Sequence, residues 1–457
     1  MPQPPSPSLL AAILRRTARR YRVPAISQIP AEGAMPATAL AIAIEQARRS
    51  LEAGAAPPAA VQHAFLDALS RLIRDAMRES DGDPVFQAML LRHRLTLVRE
   101  YASLAARAAQ DRREIIAAAN AIAHPAKVER MPAGPARPAK AAIQAAAASE
   151  SWTALPEAAR RLLGQPADTQ PAAAALERLL ASPALEHLQR LDVLACDSEV
   201  RRYRALWERQ GPRPGSATAL AEGNASRLRG DAVEAQALHA LQALASRLND
   251  ADGGKAYQAV SSMRVPSSMP ANAERAKTEW DAALLRRAQS DGAPPAWDLC
   301  LLLEAKTSAD AAATDFPRLL RGLRLLAQAD PRTDYPFSTH QGLFPLRGAA
   351  LCTLPAEGPQ LETAVLYFCD GPADAIPRLL SAASRMQLLS AQPSLDYADR
   401  LAQGLDAAPE TLEPAWRQLL QSAQWSGVLQ QYPTLCQARE LMVHPDDLMA
   451  AIEGATA

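Results

Sequence analysis

Apolar side chains recur at helical spacing between Asp231 and Arg247, with Val233, Leu238, Leu241 and Leu244 on one side, and then the period changes. The next three stretches, Ala256–Val265, Thr278–Arg286 and Trp297–Lys306, alternate or run continuously apolar and read as strands. Asp310–Ala327 returns to helical spacing. Ala349–Leu354 and Thr363–Cys369 then read as a β-hairpin joined by Pro355-Ala-Glu-Gly-Pro-Gln360. The predicted order over 226–370 is therefore α-β-β-β-α-β-β.

On either side of that block the pattern is helical. Ala60, Val61, Phe65, Leu66, Leu69, Leu72 and Ile73 step by threes and fours, as do Met89, Leu90, Leu91, Leu95, Leu97 and Val98. These place a helical N-terminal domain over 1–123. Residues 124–150 turn Pro- and Ala-rich with scattered bases (Pro125, Pro132, Pro135, Pro138, Lys140), a composition that suits a flexible linker. A helical connector is expected over 151–225, closed by Gly211-Pro-Arg-Pro-Gly215, and a helical C-terminal region over 371–457. The fold class expected is α+β and multidomain, predominantly helical, with one mixed-sheet core flanked by helical regions.

Composition narrows the function. Aromatics are only 4% of the chain while hydrophobic residues reach 48%, mostly Ala and Leu, which favours helices packed through small side chains. Lys+Arg and Asp+Glu are equal at 49 each, so no overall field draws the protein to nucleic acid or membrane. Five dispersed cysteines (Cys196, Cys300, Cys352, Cys369, Cys436) without metal-ligand spacing read as reduced thiols. No stretch is apolar for the roughly 18–20 residues a membrane span needs. Near the N-terminus, Arg15, Arg16, Arg19 and Arg20 follow the apolar patch Leu9 to Leu14, the reverse of a secretory signal. The expectation is a cytoplasmic protein with no membrane partner. Motifs for NTPases, serine hydrolases and zincins are missing.

Candidate chemistry concentrates in Trp297-Asp-Leu-Cys-Leu-Leu-Leu-Glu-Ala-Lys306 and in Thr278-Glu-Trp-Asp281. Alternation puts Glu304 and Lys306 on one strand face, with Leu301, Leu303 and Ala305 on the other. Charges at the end of a buried strand are costly unless paired or bound to a metal. Asp281 on the preceding strand is the natural second acid. Asp298 shares the parity of Glu304, but six residues of rise put it about 20 Å away. Glu234, on the preceding helix, can close the site from one side. Two hard carboxylates with open coordination suit Mg²⁺ or Mn²⁺. The plain alternative for Glu304 and Lys306 is a solvated ion pair.

The order helix Glu234, strand Asp281, strand Glu304-x-Lys306, helix resembles the PD-(D/E)XK nuclease superfamily, the restriction-endonuclease-like proteins. The resemblance covers 226–370 only. It implies a metal-dependent nuclease cleaving nucleic-acid phosphodiesters, with DNA as the first substrate to consider. Asp281 and Glu304 would hold the metal, Glu234 would support it, and Lys306 would serve as the catalytic lysine. Trp280 stands where the name-giving Pro would be, and no Gln-x-x-x-Tyr follows Lys306.

Glu279 is either a further ligand or a salt-bridge partner for Lys277 or Lys306. Arg318, Arg321 and Arg324 step by three along the following helix and are candidate phosphate contacts, with a solvated helix face as the alternative. His340 is a loop residue with the same two readings. Two other functions compete: a nuclease-fold interaction protein without turnover, binding protein partners through its helical regions, and a sugar-phosphate enzyme on a (β/α)₈ barrel.

Overall fold

The computed structural model of the 457-residue chain describes residues 8–29, 33–165, 170–211, 215–269, 276–288, 295–374 and 378–455. It is predominantly helical with one small mixed sheet. The described residues fall into two compact units. One lies within Met1–Leu72, Pro214–Leu388 and Pro409–Ala457, the other within Ile73–Arg213 and Leu389–Ala408. None of the described helices is long and apolar enough to cross a membrane.

The first unit holds the sheet. Its strands are β1 (Tyr257–Arg264), β2 (Glu279–Arg287), β3 (Trp297–Lys306), β4 (Asp334–Thr339), β5 (Gly342–Arg347), β6 (Val365–Cys369) and β7 (Met442–Val443). β1, β2 and β3 form an antiparallel meander. The sheet order is β2-β1-β4-β5-β3-β6-β7, and because β2 also pairs with β3, the first five strands close on themselves. Single pairs, Arg264↔Ser338 and Trp297↔Leu346, complete that ring. β6 and β7 continue outward from the C-terminal half of β3 in parallel.

Helices cover both sides. The four that matter are α1 (Leu9–Arg16), α2 (Ala217–Asp252), α3 (Ala309–Leu326) and α4 (Pro445–Glu453). α3 presents Ala312, Phe316, Leu319, Leu323 and Leu326 at three- and four-residue steps, and these meet Val260, Ala283, Leu302 and Val365 in one core. The opposite core joins Ala237, Leu241, Leu244 and Leu248 of α2, with α1 and α4, to Leu284, Leu301, Leu303 and Phe368.

Several expectations are corrected. α2 is longer than the predicted Asp231–Arg247. Ser216 caps its start by accepting from the Ala219 amide, and Gly253, at φ 63°, ends it in the left-handed conformation. Burial along α2 begins only at Val233, so periodicity could not reveal its exposed first half.

The predicted hairpin is also different. Gly348–Leu351 is a helical turn, and β6 pairs in parallel with β3. The actual hairpin is β4–β5, where Pro336 and Pro345 sit opposite each other and disguise both strands, since proline argues against a strand reading. The C-terminal region is not wholly helical, because β7 extends the sheet. Eight strand–helix alternations do not occur among the described residues, which removes the (β/α)₈ barrel.

The second unit is helical. The supposed linker at 124–150 holds helices Pro125–Glu129 and Ala136–Ala148. Val128, Ile143, Ala146 and Ala147 bury in a core with Ile115, Leu155 and Leu185. Proline at the first turn starts a helix rather than breaking one, and the alanines propagate it. Domain limits shift accordingly. Residues 1–123 divide at Leu72/Ile73, the 151–225 connector belongs to the second unit through Arg213, and 371–457 belongs to the first unit apart from Leu389–Ala408. The Pro-Arg-Pro of the expected break at 211–215 lies outside the described residues.

Candidate active site

The site forms where β2 and β3 part. The register between them shifts at Leu284/Leu285, leaving Cys300 as an extra residue on β3. Beyond this bulge Leu302 faces α3, while Leu301, Leu303 and Ala305 face the α2 side. Glu304 and Lys306 therefore project together toward α3, as alternation predicts, and their charged groups lie 3.4 Å apart.

Backbone pairing of the two strands ends at Ala282↔Leu303. One residue further, the Asp281 carboxylate replaces the missing rung, with Oδ2 accepting the Ala305 amide at 2.8 Å. Asp281, Glu304 and Lys306 thus meet at the fork. Asp298, by contrast, is engaged by Arg347 through two hydrogen bonds of 2.7 and 2.5 Å.

Glu304 has no exposed surface. Its Oε2 lies 2.6 Å from the ammonium of Lys277, and its Oε1 is buried with no hydrogen-bond partner among the described residues. Burial, reinforced by the charge of Asp281, pushes its pKa up to about 8 against the pull of Lys277 and Lys306. For Lys306, burial acts downward, but Glu304, Asp315 and Asp281 outweigh it and its pKa rises.

Asp315, on α3, lies 3.7 Å from Lys306 and accepts the Tyr367 hydroxyl at 3.2 Å. Tyr367 is the β6 residue paired with Glu304. Burial, followed by the Asp315 charge, raises its pKa. Glu234 is largely exposed on α2, yet local desolvation, then the charge of Asp281, raises its pKa too. Glu234 senses the Asp281 charge, but its helix α2 covers the sheet face opposite the one toward which Glu304 and Lys306 project.

The remaining candidates lie apart from this cluster. Glu279 pairs with Arg264 at 3.2 Å instead of with either lysine. Arg318, Arg321 and Arg324 occupy the exposed side of α3, where Arg324 is 3.3 Å from Glu357. His340 sits in the β4–β5 turn, 3.5 Å from the Ser261 hydroxyl.

Lys277, Asp315 and Tyr367 are the members that sequence reasoning did not place in the site. Only Tyr367 carried a usable signal, since a tyrosine in an otherwise apolar strand must find a partner for its hydroxyl.

Among the described residues no three His, Cys, Asp or Glu side chains stand close enough to ligate one ion as placed. The available donors are Asp281 and Glu304. One feature fits a hard divalent cation: the buried, unpartnered Oε1 of Glu304 beside the Asp281 charge. No family model, curated protein or solved structure matches the chain.

Proposed function

We propose that this protein is a metal-dependent phosphodiesterase acting on nucleic acid, with DNA the first substrate to test, through a PD-(D/E)XK-like core. The observation that carries the reading is the meeting of Asp281, Glu304 and Lys306 at the β2–β3 fork.

Asp281 and Glu304 would hold Mg²⁺ or Mn²⁺, with Glu234 in support. Such an ion, when bound, polarises a phosphate oxygen and lowers the pKa of its water. Lys306, tethered between Glu304 and Asp315, offsets negative charge that develops on the phosphorus centre and orients the attacking water. Tyr367 steadies Asp315 and, through it, Lys306.

The test is Mg²⁺- and Mn²⁺-dependent cleavage of DNA and RNA by wild type, Lys306→Ala and Asp281→Asn. Loss of activity in both variants with the fold intact supports the reading. Equal activity in all three places the activity elsewhere.

A second reading is a nuclease-like fold that works without turnover, through a protein partner. The 2.6 Å contact of Lys277 on a fully buried Glu304 favours it, as does the absence of net charge for drawing in a polyanion. No cleavage by folded wild type in either metal would favour this alternative.

A further inference from the structure

The cation nearest Glu304 is not the lysine of the motif. Lys277 lies 2.6 Å from Glu304 Oε2 against 3.4 Å for Lys306, and its side chain is 7% exposed. Its backbone passes close to α3. A Cβ on Gly322 of α3 would stand 2.8 Å from the Lys277 Cβ and 2.9 Å from its carbonyl oxygen. The Lys277 ammonium rests 5.9 Å from the centre of the Trp280 ring. Lys306 differs, because Asp315 gives its ammonium a second anchor.

A carboxylate holds Mg²⁺ at about 2.1 Å. An ion on the same oxygen as Lys277 would therefore lie within about 4.7 Å of that ammonium, given the 2.6 Å contact. Two cations so close in a buried setting repel strongly.

Resting on the site reading above, we propose that Lys277 is the internal occupant of the divalent-cation position. In the metal-free protein its ammonium occupies Glu304 Oε2, and a divalent ion enters as that side chain swings away. Lys277 is thus a positioning residue. It sets how much divalent cation the site needs and takes no part in the bond-breaking step.

The experiment measures Mn²⁺ binding by calorimetry, and the Mn²⁺-induced rise in Tm, for wild type, Lys277→Met and the double variant Lys277→Met/Glu304→Gln. Lys277→Met is expected to bind Mn²⁺ at least tenfold more tightly than wild type and to gain the larger Tm rise. Adding Glu304→Gln removes both gains. Unchanged or weaker binding by Lys277→Met overturns the Lys277 assignment while leaving the metal site standing. No Mn²⁺ binding by wild type or Lys277→Met overturns the site reading itself.

A measurement on wild type alone covers the case in which the variant does not fold. Mn²⁺ should raise acetylation of Lys277 by an amine-reactive reagent several-fold while Lys306 stays protected. Unchanged Lys277 reactivity at saturating Mn²⁺ overturns the proposal.

Discussion

The Asp281 carboxylate accepts the main-chain amide of Ala305 at 2.8 Å, so a side chain serves as the last rung between two diverging strands. Asp281 consequently has a structural duty beside any chemical one, and two substitutions separate them. Asp281→Asn keeps an acceptor oxygen and should retain the Tm of wild type within a few degrees while losing metal-dependent cleavage. Asp281→Ala leaves the Ala305 amide without its partner and should cost about 1–3 kcal/mol in a urea titration.

Glu304 makes stability depend on pH. Its folded pKa is about 8 against an ordinary value of 4.5. Between those values the folded protein holds a proton that the unfolded chain has released, so stability falls as pH rises. The penalty is absent below the lower value and complete above the upper one. Glu304→Gln mimics the protonated form. Its Tm should therefore rise relative to wild type from pH 5.5 to pH 8.5, and a constant difference across that range would refute the assignment.

Gly322 has no room for a methyl group. A Cβ there meets Lys277 atoms at 2.8 and 2.9 Å and Trp280 Cζ2 at 3.1 Å. Gly322→Ala should destabilise by about 1–3 kcal/mol despite the helix propensity it gains. Gly230→Ala on α2 meets nothing within 4 Å and should stabilise by about 0.5–1 kcal/mol. Denaturant midpoints of the two variants should move in opposite directions.

If α3 faces a phosphate backbone, Arg318→Ala should lower nucleic-acid affinity and reduce the slope of log K against log salt by about 0.9. Arg324→Ala should have the smaller effect, because Arg324 already pairs with Glu357. Fluorescence anisotropy across a salt series distinguishes them. Identical slopes for wild type and Arg318→Ala would assign that face to solvent.

The sequence made part of this site legible because strand geometry is simple. Parity grouped Glu304 with Lys306, whose charged groups lie 3.4 Å apart, and rise along the strand preferred Asp281, which bonds Ala305, to Asp298, which bonds Arg347. Lys277 was hidden because its burial depends on a close approach to Gly322, a contact that no local pattern encodes. β4 and β5 were hidden by their prolines, and β7 by having only two residues. The 124–150 segment misled because proline and alanine serve linkers and helix starts equally well.

β6 is buried at all five positions and, among the described residues, receives its outer neighbour from Met442–Val443. During synthesis the ribosome therefore releases Asp281, Glu304 and Lys306 well before that sheet edge is closed. A chain interrupted between 370 and 440 would carry every candidate catalytic residue yet leave an apolar strand open to pairing with other chains. Met442–Val443, which take no part in the site, thus protect that edge of the sheet.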